Sequence, residues 1–185
     1  MTNHDDRNPR FSRVFDDNFE AVRAYCLRRL PAEDAHDATS EVFLVAWRRI
    51  DTVPEGDEAR LWLFGVARNT VRTVERATRR VIRLRTRLRG LATTPVTGPE
   101  TQVVASLEYQ RMMAAIDRLS RNDQEVLRLR LWEELSIPEV AAVLDCSEKA
   151  ASKRYLRALA RLDRRVTALD RRTTRPHLAT RGGEL

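Results

Sequence analysis

The stretch from Ser120 to Leu162, SRNDQEVLRLRLWEELSIPEVAAVLDCSEKAASKRYLRALARL, limits what this chain can fold into more than any other. It reads as three helices in quick succession, the last two joined by a very short connection. Ser120 is placed to cap the first, with Asp123 following it and Val126, Leu127 and Leu131 as the apolar side. Ser136 opens the second. Glu139 stands where a carboxylate reaches back to the cap's own N–H, the capping box that marks a helix start sharply. Ile137, Val140, Ala141 and Leu144 then recur at helical spacing. Asp145, Cys146 and Ser147 form the turn, and Ser147 caps the third helix. That helix gathers Ala151, Tyr155, Ala158, Leu159 and Leu162 on one face and Lys149, Ser152, Lys153, Arg154, Arg157 and Arg161 on the other. Two caps, a tight turn and a last helix apolar behind and basic in front predict a helix-turn-helix. The DNA major groove admits one such helix, with its N-terminal residues at the base edges.

The charge balance agrees. Lys and Arg outnumber Asp and Glu by 34 to 27, for a net charge of +7 and a sequence pI near 10.3. Such an excess points to a polyanion, either nucleic acid or an anionic membrane face. Lys149 and Lys153 are the only lysines, and arginine is the residue suited to bidentate contact with phosphate and guanine. Cys26 and Cys146 stand alone, without a CxxC or neighbouring histidines, so a disulfide framework and a zinc site are excluded and both are expected as small core residues. The N-terminus lacks an apolar run and no stretch has the length of a membrane span, which predicts a cytoplasmic protein without membrane insertion. An enzyme is not expected: no phosphate-binding glycine loop, metal-ligand cluster or nucleophile setting occurs, and His36 beside Asp37 is a helix-surface pair. No cofactor is implied. Helical periodicity without alternating Val/Ile runs makes the chain all-α.

Taken in order, residues 1–10 are polar and expected to be mobile. Phe15, Phe19, Val22, Cys26 and Leu30 step at threes and fours in a helix over 11–30, stopped by Pro31. A second helix over 32–50 turns Ala38, Val42, Val45, Ala46 and Ile50 inward and Asp37, Glu41, Leu44 and Arg48 outward. Phe43 and Trp47, four residues apart on its flank, read as a stacked pair, for which core packing is the ordinary role. An acidic Pro/Gly loop over 51–57 follows. A long helix then runs to about residue 89 with Leu63, Ala67, Val71 and Val74 as its buried stripe and Trp62 and Phe64 beside it. From Arg76 onward it carries seven arginines and no acid, an unbalanced run that favours phosphate contact. These features divide the chain into a helical domain at 11–89, a linker at 90–102, a second domain at 103–165 and a disordered tail at 166–185. The second domain's opening helix, over 103–119, has Met112, Ala115, Ile116 and Leu119 as its core face.

In this order, HDATSEVFLVAWRR, then ARLWLFGVARNTVRTVERATRR, then a linker and the helix-turn-helix, the sequence resembles the extracytoplasmic-function (ECF) group of bacterial sigma factors across residues 11 to 165. The resemblance implies two small helical domains, sigma-2-like and sigma-4-like, that bind core RNA polymerase and recognise the −10 and −35 promoter elements. By similarity, the helix bearing Asp37, Glu41, Phe43 and Trp47 docks on the polymerase, and aromatic anchors beside acids suit such a surface. Arg60, Trp62 and Asn69 would lie where −10 DNA opens, with Arg68, Arg72, Arg76, Arg79 and Arg80 along its single-strand backbone. In the recognition helix, Glu148, Lys149, Ser152 and Lys153 would meet −35 base edges, and Arg154 and Arg157 phosphates. The resemblance also implies an anti-sigma factor clamping both domains. Ala150-Ala151 departs from the threonine and β-branched residue common in relatives, so their −35 preference does not transfer. The competing interpretation is a conventional dimeric helix-turn-helix repressor or activator, which would read a two-fold symmetric operator.

Overall fold

The computed structural model describes residues 4–89 and 107–173, which form seven α-helices and one short 3-10 turn, with no strand among them. Helix α1 (His4–Leu27) begins seven residues before the start expected from its apolar pattern. The extra turns are held by side chains. Arg7 Nη2 donates to the Trp47 carbonyl at 3.4 Å and Arg10 Nη2 to the Val53 carbonyl at 2.6 Å. Asp51 and Glu55 lie 3.7 and 4.0 Å from the same two guanidiniums, so the acidity of the 51–57 loop answers the basic start of α1.

Pro31 cannot extend α1 and instead occupies the N-cap of α2 (Ala32–Arg48). A 3-10 turn at Ile50–Thr52 and Gly56, whose φ of +61° suits a residue without Cβ, then lead into α3 (Asp57–Arg89). The three helices pack pairwise. Their shared core contains Val22, Tyr25, Cys26, Val42, Ala46, Ile50, Leu63, Phe64, Ala67 and Val71. Val45 and Val74 are only half-buried at its margin.

Phe43 and Trp47 do not form a pair with each other. Phe43 inserts between Phe15 and Phe19, with ring centroids 4.7 and 6.0 Å away, while Trp47 meets the edge of Phe11 at 5.1 Å. The four-residue step of Phe11, Phe15 and Phe19 builds the surface that receives them.

The second half comprises α4 (Leu107–Asp117), α5 (Arg121–Leu131), α6 (Ile137–Leu144) and α7 (Glu148–Thr173). Ala115 and Ile116 of α4 are buried, with Met112 and Leu119 packed beside them. Ser120 caps α5 by accepting from the Asp123 N–H at 3.3 Å. The capping box forms as expected. The Ser136 N–H donates to Glu139 at 2.6 Å, and the Ser136 hydroxyl accepts from the Glu139 N–H at 3.4 Å. The Ser136 hydroxyl also donates to the Glu139 carboxylate at 2.6 Å, and this bond and the one from the Ser136 N–H hold the carboxyl below its usual range, with the Arg60 and Arg130 charges adding to the effect.

Three expectations for this half are corrected. Leu131 is 43% exposed, and Leu129, on the opposite face of α5, is buried in its place. Val143 of α6 is buried because that face of α6 meets α3. Helix α7 continues to Thr173, beyond the boundary set at 165, since no glycine or proline interrupts it and Val166 still packs on the core. The linker at 90–102, residues 103–106 and the tail from 174 onward lie outside the described residues. Both cysteines are free, Cys26 buried and Cys146 half-buried.

The positions of Phe43 and Leu44 separate core from surface within one turn of α2. Phe43→Ala is expected to cost about 3–5 kcal/mol of unfolding free energy, and Leu44→Ala less than about 0.5 kcal/mol, both measured by urea denaturation.

Candidate nucleic-acid and protein interfaces

The α6–α7 turn is set by Asp145, which adopts the left-handed conformation at φ 51° and ψ 59°, and by Ser147, whose hydroxyl accepts from the Ala150 N–H at 3.3 Å. Together they turn the chain abruptly and present the first turns of α7 outward. Ala151, Ala158 and Leu162 are buried behind, with Tyr155 and Leu159 packed against them. Glu148, Lys149, Lys153, Arg154 and Arg157 are exposed in front, and Ser152 is half-buried. Arg161, from the same basic face, is committed elsewhere: it pairs with Asp123 at 2.6 Å and ties α7 to α5. Leu156 is 61% exposed among the cations, an apolar side chain on a face that its charge pattern marks as basic. Ala151 is fully buried, so the Ala150-Ala151 departure acts at that position through packing and not through direct contact.

Along α3, Arg60, Asn69, Arg72, Arg76, Arg79 and Arg80 are exposed, and Trp62 and Arg68 are half-buried. Glu75 takes up Arg79 at 3.8 Å and also pairs with Arg121 of α5. Among the described residues no ion pair engages Arg68, Arg72, Arg76 or Arg80, which follow one another at four-residue steps along a single stripe. The stripe forms one wall of a cleft of about 530 Å³ whose other wall is the start of α5.

On α2, Asp37, Glu41 and Leu44 are exposed, and Arg48 lies 3.9 Å from Glu41. Trp47 is half-buried. Phe43, at 4% exposure, belongs to the core, so the protein-facing role implied for it is withdrawn. Its neighbour Leu44, 40% exposed between the two acids, is the apolar group this surface offers, and the sequence pattern had already turned it outward.

The two halves of the chain also meet one another. Arg29, in the turn just after α1, donates through Nε to Glu125 of α5 at 2.9 Å and through Nη1 to Glu133 at 2.8 Å, and its guanidinium stacks 3.4 Å from the centre of the Tyr25 ring. Tyr25 donates its hydroxyl to Glu125 at 2.7 Å, and Arg28 reaches Glu133 at 2.5 Å. The side chains of Arg29 and Glu133 are 2% and 0% exposed. Burial pushes the Tyr25 hydroxyl well above its usual pKa. Burial works to raise Glu125 as well, but the Arg29 charge and the hydrogen bonds from Arg29 and Tyr25 outweigh it and leave the carboxyl below its usual range.

Two family models match the two halves of the chain. Residues 14–87 match the model of Sigma-70 region 2, and residues 109–162 that of Sigma-70, region 4. The RNA polymerase sigma factor NccH of Alcaligenes xylosoxydans is 32% identical over 140 residues, covering 72% of this chain and 73% of its own. This chain belongs to the ECF group of the sigma-70 family. It is an RNA polymerase sigma factor, a factor of transcription initiation. The sigma factor CnrH of Cupriavidus metallidurans is 33% identical over 141 residues, covering 72% of this chain and 73% of its own. In fold, the sigma factor resembles RpoE of Bartonella quintana, solved in complex with the anti-sigma factor NepR. That match has a TM-score of 0.67 and 23% identity, and covers 85% of this chain and 96% of the other. Among the described residues no helix is long and apolar enough to cross a membrane, and no group of three or more His, Cys, Asp or Glu is placed to hold a metal ion.

The unpaired stripe on α3 gives a direct test. Replacing Arg72 and Arg76 together with alanine is expected to reduce the slope of log affinity against log salt by roughly 0.7 per lost contact on single strands. Fluorescence anisotropy across a salt series checks it; an unchanged slope would mean that neither arginine meets phosphate.

Proposed function

We propose that this sigma factor binds core RNA polymerase through the outward face of α2, opens and holds −10 DNA along α3, and reads the −35 duplex with the first turns of α7. The observation that carries this is the exposed basic front of α7, presented by a capped, left-handed turn and, among the described residues, without ion-pair partners at Lys149, Lys153, Arg154 and Arg157. Such a helix end is the part of a helix-turn-helix that meets base edges.

Each surface has a physical rationale. Asp37, Glu41 and Leu44 give an acidic patch with an apolar centre on a basic protein, suited to a basic or apolar groove on the polymerase. Trp62 and Asn69 offer a stacking plane and a hydrogen-bonding amide for an unpaired base, with the α3 arginines positioned for its phosphates. On α7, Glu148, Lys149, Ser152 and Lys153 would supply base contacts and Arg154 and Arg157 phosphate contacts, while Leu156 could add apolar contact with a thymine methyl. The chemistry of RNA synthesis belongs to the polymerase, and no catalytic role is assigned to this chain. An anti-sigma protein of the kind bound to the Bartonella RpoE would regulate it by covering these surfaces, and its place of work is the cytoplasm, where polymerase meets DNA.

Reconstitution with sigma-free core polymerase tests the proposal: the chain should bind the core and start specific transcripts from genomic DNA of its source. A dimer that binds operator DNA unaided and leaves the core idle would identify a conventional regulator instead. Leu44→Ala is expected to lower core affinity by about 1 kcal/mol or more at unchanged fold stability, read by titrating labelled chain with core. At the promoter, Lys153→Ala should change preference among −35 sequences by about 1–3 kcal/mol, whereas Arg157→Ala should weaken binding to all sequences alike and flatten its salt dependence. Equal effects of both on every sequence would contradict the division between base and phosphate contacts.

A further inference from the structure

The helix-turn-helix half does not stand apart from the α3 surface. Helix α6 packs directly on α3, and Ala142, Val143 and Asp145 share a cleft with Leu61, Trp62, Val66, Arg68 and Asn69. Val143 is buried there, and Trp62 is half-buried. Trp62, Arg68 and Asn69, three of the residues assigned to −10 DNA, thus line a cleft against α6, while the arginines further along α3 stay exposed. The recognition helix α7 packs on the same α6, so it lies two interhelix spacings, about 20 Å, from α3. Elements centred at −10 and −35 are about 25 base pairs apart, roughly 85 Å of duplex. No movement of side chains closes that difference. The two halves must part before both elements can be engaged.

We propose that the C-terminal domain is an intramolecular cover over the Trp62–Asn69 part of the −10 surface of α3, with Arg29, in the turn after α1, as the latch on which it closes; this rests on the assignment of α3 made above. The latch is built from charge. Arg28 and Arg29 on one side balance Glu125 and Glu133 on the other, and Arg29 and Glu133 have almost no contact with water. Glu133 makes its side-chain hydrogen bonds to Arg28 and Arg29 alone among the described residues, so the C-terminal domain does not need that carboxylate for its own fold. Removing one partner leaves an uncompensated charge buried in the closed form, which is strongly unfavourable. The open form is indifferent to the same change, because there all four groups are hydrated. A latch of ions is therefore reversible where an apolar seal would not be. A polymerase that draws the domains apart returns these charges to water and exposes little new apolar surface at this point.

The test uses the full chain in two variants, Glu133→Gln and Arg29→Gln, which cut the latch from opposite sides. Small-angle scattering reads the separation of the halves. Anisotropy with a labelled random-sequence single strand reads access to α3, and a duplex of the same composition reads the already exposed front of α7. Both variants are expected to enlarge the radius of gyration and to raise single-strand affinity by at least about tenfold, with duplex affinity unchanged. Unaltered scattering in both folded variants, confirmed by helical circular dichroism, would overturn the latch whatever the DNA does. Expansion without a gain in single-strand binding would overturn the cover by showing that α3 is not the single-strand surface.

Discussion

Arg29 is a cation with almost no water around it, and the arrangement of the two halves depends on how that charge is satisfied. Two carboxylates from the far half, the Tyr25 carbonyl from the last turn of α1 and the face of the Tyr25 ring surround it. A buried ion pair of this kind is poor evidence of extra stability, since desolvation offsets much of the attraction. What it does supply is geometry. An apolar contact tolerates sliding, whereas a guanidinium forked between Glu125 and Glu133 admits one register of α1 against α5. The Tyr25 ring extends that register into the first domain's core, where it stacks on Phe64 at 5.2 Å. The α6–α3 contact then follows from a docking decided at one residue.

Much of the second half was legible because its signals are local. Capping at Ser120, Ser136 and Ser147 involves residues within three positions, and the helical period assigns a face once the ends are known. The failures share a cause, which is packing by partners distant in sequence. Val143 is buried where α6 meets α3, an element outside the helix-turn-helix, so the stripe of that motif alone could not include it. Phe43 has the same look as a binding anchor until Phe15 and Phe19 arrive from another helix to enclose it. The opposite signal was present for Leu44, an apolar residue in phase with Asp37 and Glu41 on a face already marked as outward. Nothing marked Arg29, whose carboxylates lie 96 and 104 positions away with no period to connect them. The candidate DNA surfaces were visible as charge runs. That the molecule covers one of them with its own other half was not.

Charge is distributed with a consistent logic. Acids cluster on α2 and in the 51–57 loop, the latter beside the start of α1, while among the described residues arginines without an ion pair are concentrated on α3 and the front of α7. Arginines needed for folding are each given a carboxylate: Arg29 with Glu125, Arg128 with Asp117, Arg161 with Asp123. Arg68, Arg72, Arg76 and Arg80 of α3 and Arg154 and Arg157 of α7 have no such partner among the described residues.

Helix α3 extends this to its end. At 33 residues it is about 50 Å long, and its second half leaves the core: Val81 and Leu84 are 47% and 59% exposed, amid arginines with no acid among them. Like charges at four-residue spacing oppose helix formation, and tertiary packing is what normally compensates. Counter-ions must do so here. Added salt, by screening the arginines from one another, straightens this segment while weakening its hold on phosphate, so the two consequences of ionic strength oppose each other within one helix. In the proposed complex a nucleic-acid backbone would remove the conflict by supplying the missing negative charge at a fixed place, and the distal half of α3 would become a ruler whose stiffness is set by the strand lying along it.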